Sequence, residues 1–276
     1  HGGSYAYLLK DAVLVDGMLF GPKGYGNHVL KQKRHSVMHA LTREETPCAL
    51  YSSLYGNIYW GHWLKDDCST YLVAKDLAKP VSVQRTPFFS QPDYEALLGM
   101  DAEPKNATWF KELWVFDDFA QNESRRQRYM AMRNRILSSA GLENKAKHRG
   151  VYIARGHSGV RRLLVNEDEV IDFFRARDFA IVDTMNSSVA DIVNACAGAS
   201  IVAGVEGSSL SHGFMMLEEG DSMLVLNPPN RFNNIYKDVS DCKGLNYATV
   251  VGDLCGADFS VNLTELEQTL ALLPSY

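Results

Sequence analysis

The sequence predicts an α/β fold built on a parallel, doubly wound sheet, and three observations carry that expectation. From residue 150 onward, short β-branched apolar runs alternate with amphipathic stretches of about ten residues, the pattern of strands and crossover helices. Each run breaks into glycine and polar residues, as happens at the carboxyl ends of strands in an open sheet, where ligands bind. The composition is that of an ordinary globular protein. Its 276 residues are 46% hydrophobic and 22% charged, enough for one large or two modest domains with a good core.

The bulk properties exclude some function classes. A net charge of −5 argues against a general nucleic-acid or acidic-membrane binder, while leaving room for a local basic site. No run approaches the roughly 18 apolar residues of a membrane span. The opening His1-Gly-Gly-Ser4 reads as a purification-tag scar and is set aside. The expectation is a cytoplasmic protein, with a trimmed anchor left open. Five cysteines with no C-x-x-C pair predict reduced, mostly buried thiols rather than a zinc site. Glycosylation-type tripeptides at Asn106, Asn122, Asn186 and Asn262 arise readily by chance and decide nothing.

In chain order, residues 5–20 alternate apolar and polar and predict a hairpin turning at Asp16 and Gly17. Residues 21–26 are turn-rich, and 48–55 read as a short strand. A helix over 61–75 would place His62 and Asp66 four residues apart on one face. A histidine above a carboxylate is a general-base arrangement; the competing reading is a histidine packed on Trp60 or Trp63. Strands follow at 80–83 and 113–116, with helical or loop material over 92–100. Asp117 and Asp118 at a strand end form a candidate metal pair or, lacking a third acidic position, a cap. The clearest helix covers 123–140, with Tyr129, Met132 and Ile136 on one side and Gly141 as its stop.

A basic band runs from Arg125 to Arg162. Its first part, to Lys147, reads as a solvated helix face plus linker, and its last part as an anion site. Strands over 151–154, 179–182, 200–203, 222–226 and 248–251 alternate with helices over 166–177, 188–197, 210–217 and 263–273. Arg155, Arg161 and Arg162 follow the first of these strands, and Glu206, Gly207, Ser208 and Ser209 follow the third. Guanidinium forks and backbone N–H groups at a helix start suit a phosphate or diphosphate.

Taken together, several motifs resemble glycosyltransferase family 61, especially its shorter bacterial-type members. They are Asn57 to Asp66 with its Gly61-His-Trp-Leu64, Tyr152-Ile-Ala-Arg155, Arg161-Arg-Leu-Leu-Val-Asn-Glu167 and Gly204-Val-Glu-Gly-Ser-Ser-Leu-Ser-His212. Many eukaryotic members carry histidine at the position of Glu206, whereas bacterial-type relatives often carry glutamate. The resemblance implies a GT-B-like fold, two Rossmann-like domains facing across a cleft. It also implies inverting transfer of xylose, arabinose or N-acetylglucosamine from a UDP-sugar to a glycan hydroxyl, with no metal and no other cofactor.

On that basis residues 5–140 are expected to bind the acceptor and 141–257 the nucleotide sugar, with 258–276 packing back on the N-terminal domain. The expected base is His62, Asp66 or Glu206. Arg155, Arg161, Arg162, Gly207, Ser208, Ser209 and Leu210 are expected around the donor. Asn166 and Glu167 are expected as positional residues that touch it at most. The partners are then a nucleotide-sugar donor and a glycan acceptor, with no nucleic acid.

Overall fold

The computed structural model describes residues 2–28, 40–155 and 162–274. The chain divides into two compact units, His1–Arg128 and Tyr129–Tyr276. The division falls inside the helix Glu123–Ala140.

The second unit is the α/β body that the alternating pattern predicts. Its five strands are all parallel and lie in the order Phe179–Asp183, Gly150–Ala154, Ile201–Val205, Ser222–Asn227, Asn246–Val251. Numbered along the chain, that order is 2-1-3-4-5, and its direction reverses between the first and third strands. Side chains alternate across the sheet. Tyr152, Ala154, Ile201, Ala203 and Val205 point to one face, where they are buried with Phe173 and Phe174 of the helix Glu167–Arg175. Ile153 and Val202 point to the other, where the short helix Leu210–Met216 approaches so closely that a Cβ on Gly213 would lie 2.5 Å from Val202. Helices therefore cover both faces.

The last helix, Leu263–Ala271, buries Leu266 and Leu270 in this same core. Its apolar stripe meets the sheet beside Val250 and Phe259, close to it in sequence.

The first unit is mixed rather than purely parallel. Strands Thr108–Asp117, Cys48–Leu50, Lys79–Val83 and Glu103–Lys105 run parallel. Against the first of them lies Tyr5–Val15, antiparallel, which turns at Asp16 and Gly17 into Met18–Gly21 and then Gly24–Asn27. Both turn residues have positive φ, as a two-residue hairpin requires. One face of this sheet buries Ala12, Leu14, Leu50, Val81 and Phe110; the other carries Ala49 and Tyr51 against Tyr71 and Ala74 of the helix Cys68–Leu77. Of the cysteines, Cys48, Cys68 and Cys196 are buried thiols, and Cys255 is exposed.

Gly150 tests the packing of the second sheet. A Cβ there would sit 2.4 Å from the Phe179 ring and 2.5 Å from the backbone oxygen of Ile201. A backbone atom in a central strand cannot step aside, so Gly150→Ala is expected to cost about 1–3 kcal/mol, the scale of overpacking. Urea unfolding of the two proteins checks this; an unchanged midpoint would show that the strand accommodates the methyl group.

Candidate functional site

At the reversal point of the second sheet, Arg155 follows the first strand and Glu206 follows the third. The Arg155 side chain bends across so that Nη1 donates to the Glu206 carbonyl at 3.2 Å. Arg162 donates to the same oxygen from Nε at 3.0 Å, and its Nη2 lies 3.0 Å from Oε2 of Glu206. That last contact is an ion pair too poorly aligned to be a hydrogen bond.

All three side chains are buried. Burial first, and the Arg162 charge second, push the Arg155 guanidinium down to about 10, so it remains a cation at neutral pH. Arg231, on the exposed turn Pro229–Arg231, adds a third positive charge that acts on both arginines. The Glu206 carboxylate and, for Arg155, that of Glu167 act against these charges. Nη1 of Arg162 is buried with no hydrogen-bond partner among the described residues. A buried guanidinium pair with an open N–H is an arrangement that suits an anion.

The turn is shaped by the absence of a side chain. A Cβ on Gly207 would lie 2.3 Å from Nη1 of Arg155 and 2.9 Å from Nη2 of Arg162. The Gly207 carbonyl accepts the Tyr236 hydroxyl at 2.7 Å, and that hydroxyl also meets Ser211 Oγ at 3.0 Å. Glu167 accepts the Arg155 backbone N–H at 2.8 Å and the Tyr152 hydroxyl at 3.2 Å. Asn166 holds both the N–H and the C=O of Val261. Asn166 thus holds backbone, and Glu167 holds backbone and the Tyr152 hydroxyl.

The amides of Gly207, Ser208 and Ser209 donate no hydrogen bond among the described residues, whereas the Leu210 amide is taken by the Gly207 carbonyl at 3.2 Å. His212 is buried in the following helix, its pKa pushed down to about 3 by that burial, so it is neutral. Arg161 lies outside the described residues. Tyr236 and Arg231 are the functional residues that sequence reasoning missed. The signal available was Asn234 before, and Gly244 after, the helix Ile235–Lys243.

The first unit holds a second cluster. The predicted helix over 61–75 is present but wound as a π-helix over Trp63–Asp67, a form often found at functional positions. His62 Nδ1 meets Asp66 Oδ2 at 2.7 Å. Burial alone would raise the Asp66 carboxyl, but the His62 hydrogen bond and the Lys65 and Arg125 charges outweigh it and hold it below its ordinary value. With Nδ1 engaged by Asp66, Nε2 is the remaining ring nitrogen of a quarter-exposed side chain.

Arg125 and Arg128 correct the reading of a solvated helix face. Both are buried, because Asp66 and Asp118 lie across from them: Arg125 is 3.6 Å from Asp66 and 3.4 Å from Asp118, and Arg128 grips both oxygens of Asp118. Thr70 donates to Asp118 as well. Asp118 is thereby committed to arginines, and Asp117 is exposed beside it, so the pair makes a poor metal site.

A family model for Glycosyltransferase 61 matches residues 60–223, more than half of the chain. The chain belongs to that family. The family is described as one of glycosyltransferases. The matched family 61 segment runs from His62 and Asp66 through Arg155, Arg162 and Glu206, and stops short of Arg231 and Tyr236. No curated protein matches the chain. Among solved structures, the flavodiiron protein from Giardia intestinalis superposes with a TM-score of 0.30 at 10% identity. That match covers 92% of this chain and 58% of that one, and it is too distant to bear on fold or function. Among the described residues no helix is long and apolar enough to cross a membrane.

The buried arginines of this family 61 chain make Asp118 testable. Asp118→Asn leaves two buried guanidinium groups without their main counter-charge and is expected to cost about 3–5 kcal/mol. The pH dependence follows the sign of the shifts. Burial pushes the Asp118 carboxyl up, but Arg128 and Arg125 hold it below its ordinary value, as is also true of Asp66. Their stabilisation is complete above the usual carboxylate range, near pH 4, and is lost as pH falls through the lowered folded values. Urea unfolding across pH 2–6 should show a shallower acid limb in Asp118→Asn than in the parent; parallel limbs would remove Asp118 from the account.

Proposed function

We propose that this family 61 chain transfers a sugar of the xylose, arabinose or N-acetylglucosamine type from a UDP-sugar to a glycan hydroxyl, with inversion and without a metal. The observation that carries the proposal is the convergence of Arg155 and Arg162 on the Glu206–Gly207 turn at the sheet's reversal point. In open α/β sheets that is where nucleotide ligands bind. The arginines, aided by Arg231 and the amides of Gly207, Ser208 and Ser209, hold the diphosphate. A GT-B-like pairing of the two units belongs to the same proposal.

The reaction then balances as follows. Nε2 of His62 takes the acceptor hydroxyl proton, and Asp66 holds Nδ1–H and stabilises the imidazolium that forms. The acceptor oxygen bonds to the anomeric carbon from the face opposite the diphosphate. The bond from that carbon to the phosphate oxygen breaks, and the electron pair leaves with UDP. Negative charge grows on the leaving oxygens, and fixed guanidinium charges in a buried site stabilise it without reorganising. Glu206 is the weaker candidate for the base, because Arg162 already pairs with it.

Nucleotide release from UDP-, GDP- and CMP-sugars, each with and without EDTA, tests the proposal. Slow hydrolysis of one UDP-sugar, indifferent to EDTA, is the expected result; a requirement for manganese would overturn the metal-free chemistry. Arg155→Ala is expected to weaken UDP binding by about 1.5–3 kcal/mol, the scale of a charge-assisted bond. Unchanged affinity in calorimetry would take Arg155 out of the site. His62→Ala should abolish transfer and leave UDP affinity intact; full activity would move the base to Glu206.

A further inference from the structure

The helix Ile235–Lys243 lies beyond the matched family segment and carries two polar side chains into the core of the second unit. Its buried residues are Tyr236, Val239, Ser240 and Lys243, spaced i, i+3, i+4 and i+7, which is one face of a helix. Such a stripe is ordinarily apolar, yet here a tyrosine stands at one end and a lysine at the other. Lys243 is 0% exposed. Its Nζ donates to the carbonyls of Phe214 at 2.8 Å and Met215 at 3.1 Å, and lies 4.8 Å from the centre of the Phe214 ring. These hydrogen-bond partners are carbonyls, not a carboxylate. Burial pushes the ammonium well below the ordinary lysine range. A methionine would fill the same space without that cost, which points to the N–H groups as what the position uses.

The two carbonyls belong to the last turn of the helix Leu210–Met216. The last four carbonyls of a helix have no partner inside it. Here Gly213 accepts the Leu217 N–H, Lys243 takes Phe214 and Met215, and Arg133 donates to Met216 from Nε at 2.8 Å. At the other end of the segment, the Tyr236 hydroxyl holds the Gly207 carbonyl and meets Ser211 Oγ. Residues 236–243 span about 10 Å of helix axis, and residues 210–216 span about the same. One face of one helix therefore holds the segment 207–216 at both ends.

Sideways motion of that segment is already blocked. A Cβ on Gly213 would lie 2.5 Å from Val202, and one on Gly204 would lie 2.8 Å from Leu210. The freedom that remains is a slide along the segment's own axis. Such a slide would carry the Glu206–Gly207 turn past Arg155 and Arg162, which meet the Glu206 carbonyl at 3.2 and 3.0 Å. A displacement of about 1 Å breaks contacts of that length.

We propose that Lys243 and Tyr236 are paired positioning residues for the anion-binding turn. Together they make the helix Ile235–Lys243 a two-point brace that fixes the segment 207–216 along its axis. The brace thereby sets how Arg155 and Arg162 meet the Glu206–Gly207 turn. Lys243 acts only through the helix Leu210–Met216. The inference rests on the reading of that turn as the diphosphate site.

Calorimetry of the intact chain with UDP and with inorganic pyrophosphate, at a temperature where every variant is folded, is the test. Lys243→Met keeps an unbranched side chain and removes the N–H groups; Tyr236→Phe removes one oxygen. Both ligands should bind about tenfold more weakly to Lys243→Met and about threefold more weakly to Tyr236→Phe, the scale of lost hydrogen bonds. A segment freed at either end can already slide, so the double variant should lose less than the product of the two factors. Leu270→Ala, a cavity on the other face of the sheet, should lower stability and leave both affinities unchanged.

A lysine that serves stability alone would lower the urea midpoint of Lys243→Met while the folded protein bound both ligands as the parent does. That result overturns the inference, and so does an equal loss of affinity in Leu270→Ala. Should Lys243→Met fail to fold, Tyr236→Phe carries the test: parent-like affinity there overturns the brace, and weakened binding of both ligands supports it. Pyrophosphate separates the brace from the transferase reading. A parent that binds pyrophosphate but hydrolyses no nucleotide sugar sinks the transferase, and the same variants then judge the brace on pyrophosphate. A parent that hydrolyses a UDP-sugar, with variants that bind as it does, sinks the brace and leaves the transferase. A parent that binds neither ligand sinks both.

Discussion

Two guanidinium groups end on one carbonyl oxygen, that of Glu206, and much of the second unit is arranged so that they can. Like charges repel, and burial removes the water that would screen them. The arrangement survives because residue 207 has no side chain to push the forks apart. Tyr236 fastens the Gly207 carbonyl, and Glu167 fastens the backbone of Arg155 to the helix that follows it. Each of these supports comes from a different element of the second unit. Only at the point where the strand order reverses do the ends of the first and third strands lie side by side with no crossover helix between them.

The first unit solves a related problem with the opposite sign. Three aspartates, Asp66, Asp67 and Asp118, are buried in a small region. Two are kept ionised by Arg125 and Arg128, while burial pushes the third up. Tertiary charge pairing holds the π-helical turn that carries Asp66: Lys65 donates back to Gly61, and Arg125 approaches the Asp66 carboxylate. The local geometry of the His62–Asp66 pair is therefore a consequence of residues some sixty positions away in the chain, at the start of the helix Glu123–Ala140.

This explains what the sequence made legible and what it did not. The second unit could be read almost element by element, because buried parallel strands are continuous apolar runs and their helices are short and amphipathic. The strand ends pointed to Arg155, Arg162 and Glu206 for the same reason. Strands of three or four residues, such as Thr42–Glu44 and Glu103–Lys105, show no alternation to read. Arg125 and Arg128 look like any solvated helix face, since their burial depends on acids distant in sequence. The π-helix has no local signature, and Tyr236 arrives on a helix that follows a proline-rich turn. Charge placed by tertiary contact is what periodicity cannot see.

The open N–H of Arg162 gives the anion site its direction. A buried donor without a partner costs about 1–3 kcal/mol in a folded protein. Here that cost adds to the repulsion among Arg155, Arg162 and Arg231. Glu206 offsets part of it by pairing with Arg162. In the proposed reading, a diphosphate satisfies the open donor and neutralises the surplus charge together, which relieves both costs. In the proposed reaction that relief grows as charge moves onto the leaving oxygens. The same charges that are costly to bury at this turn would then make the transition state the best-bound species.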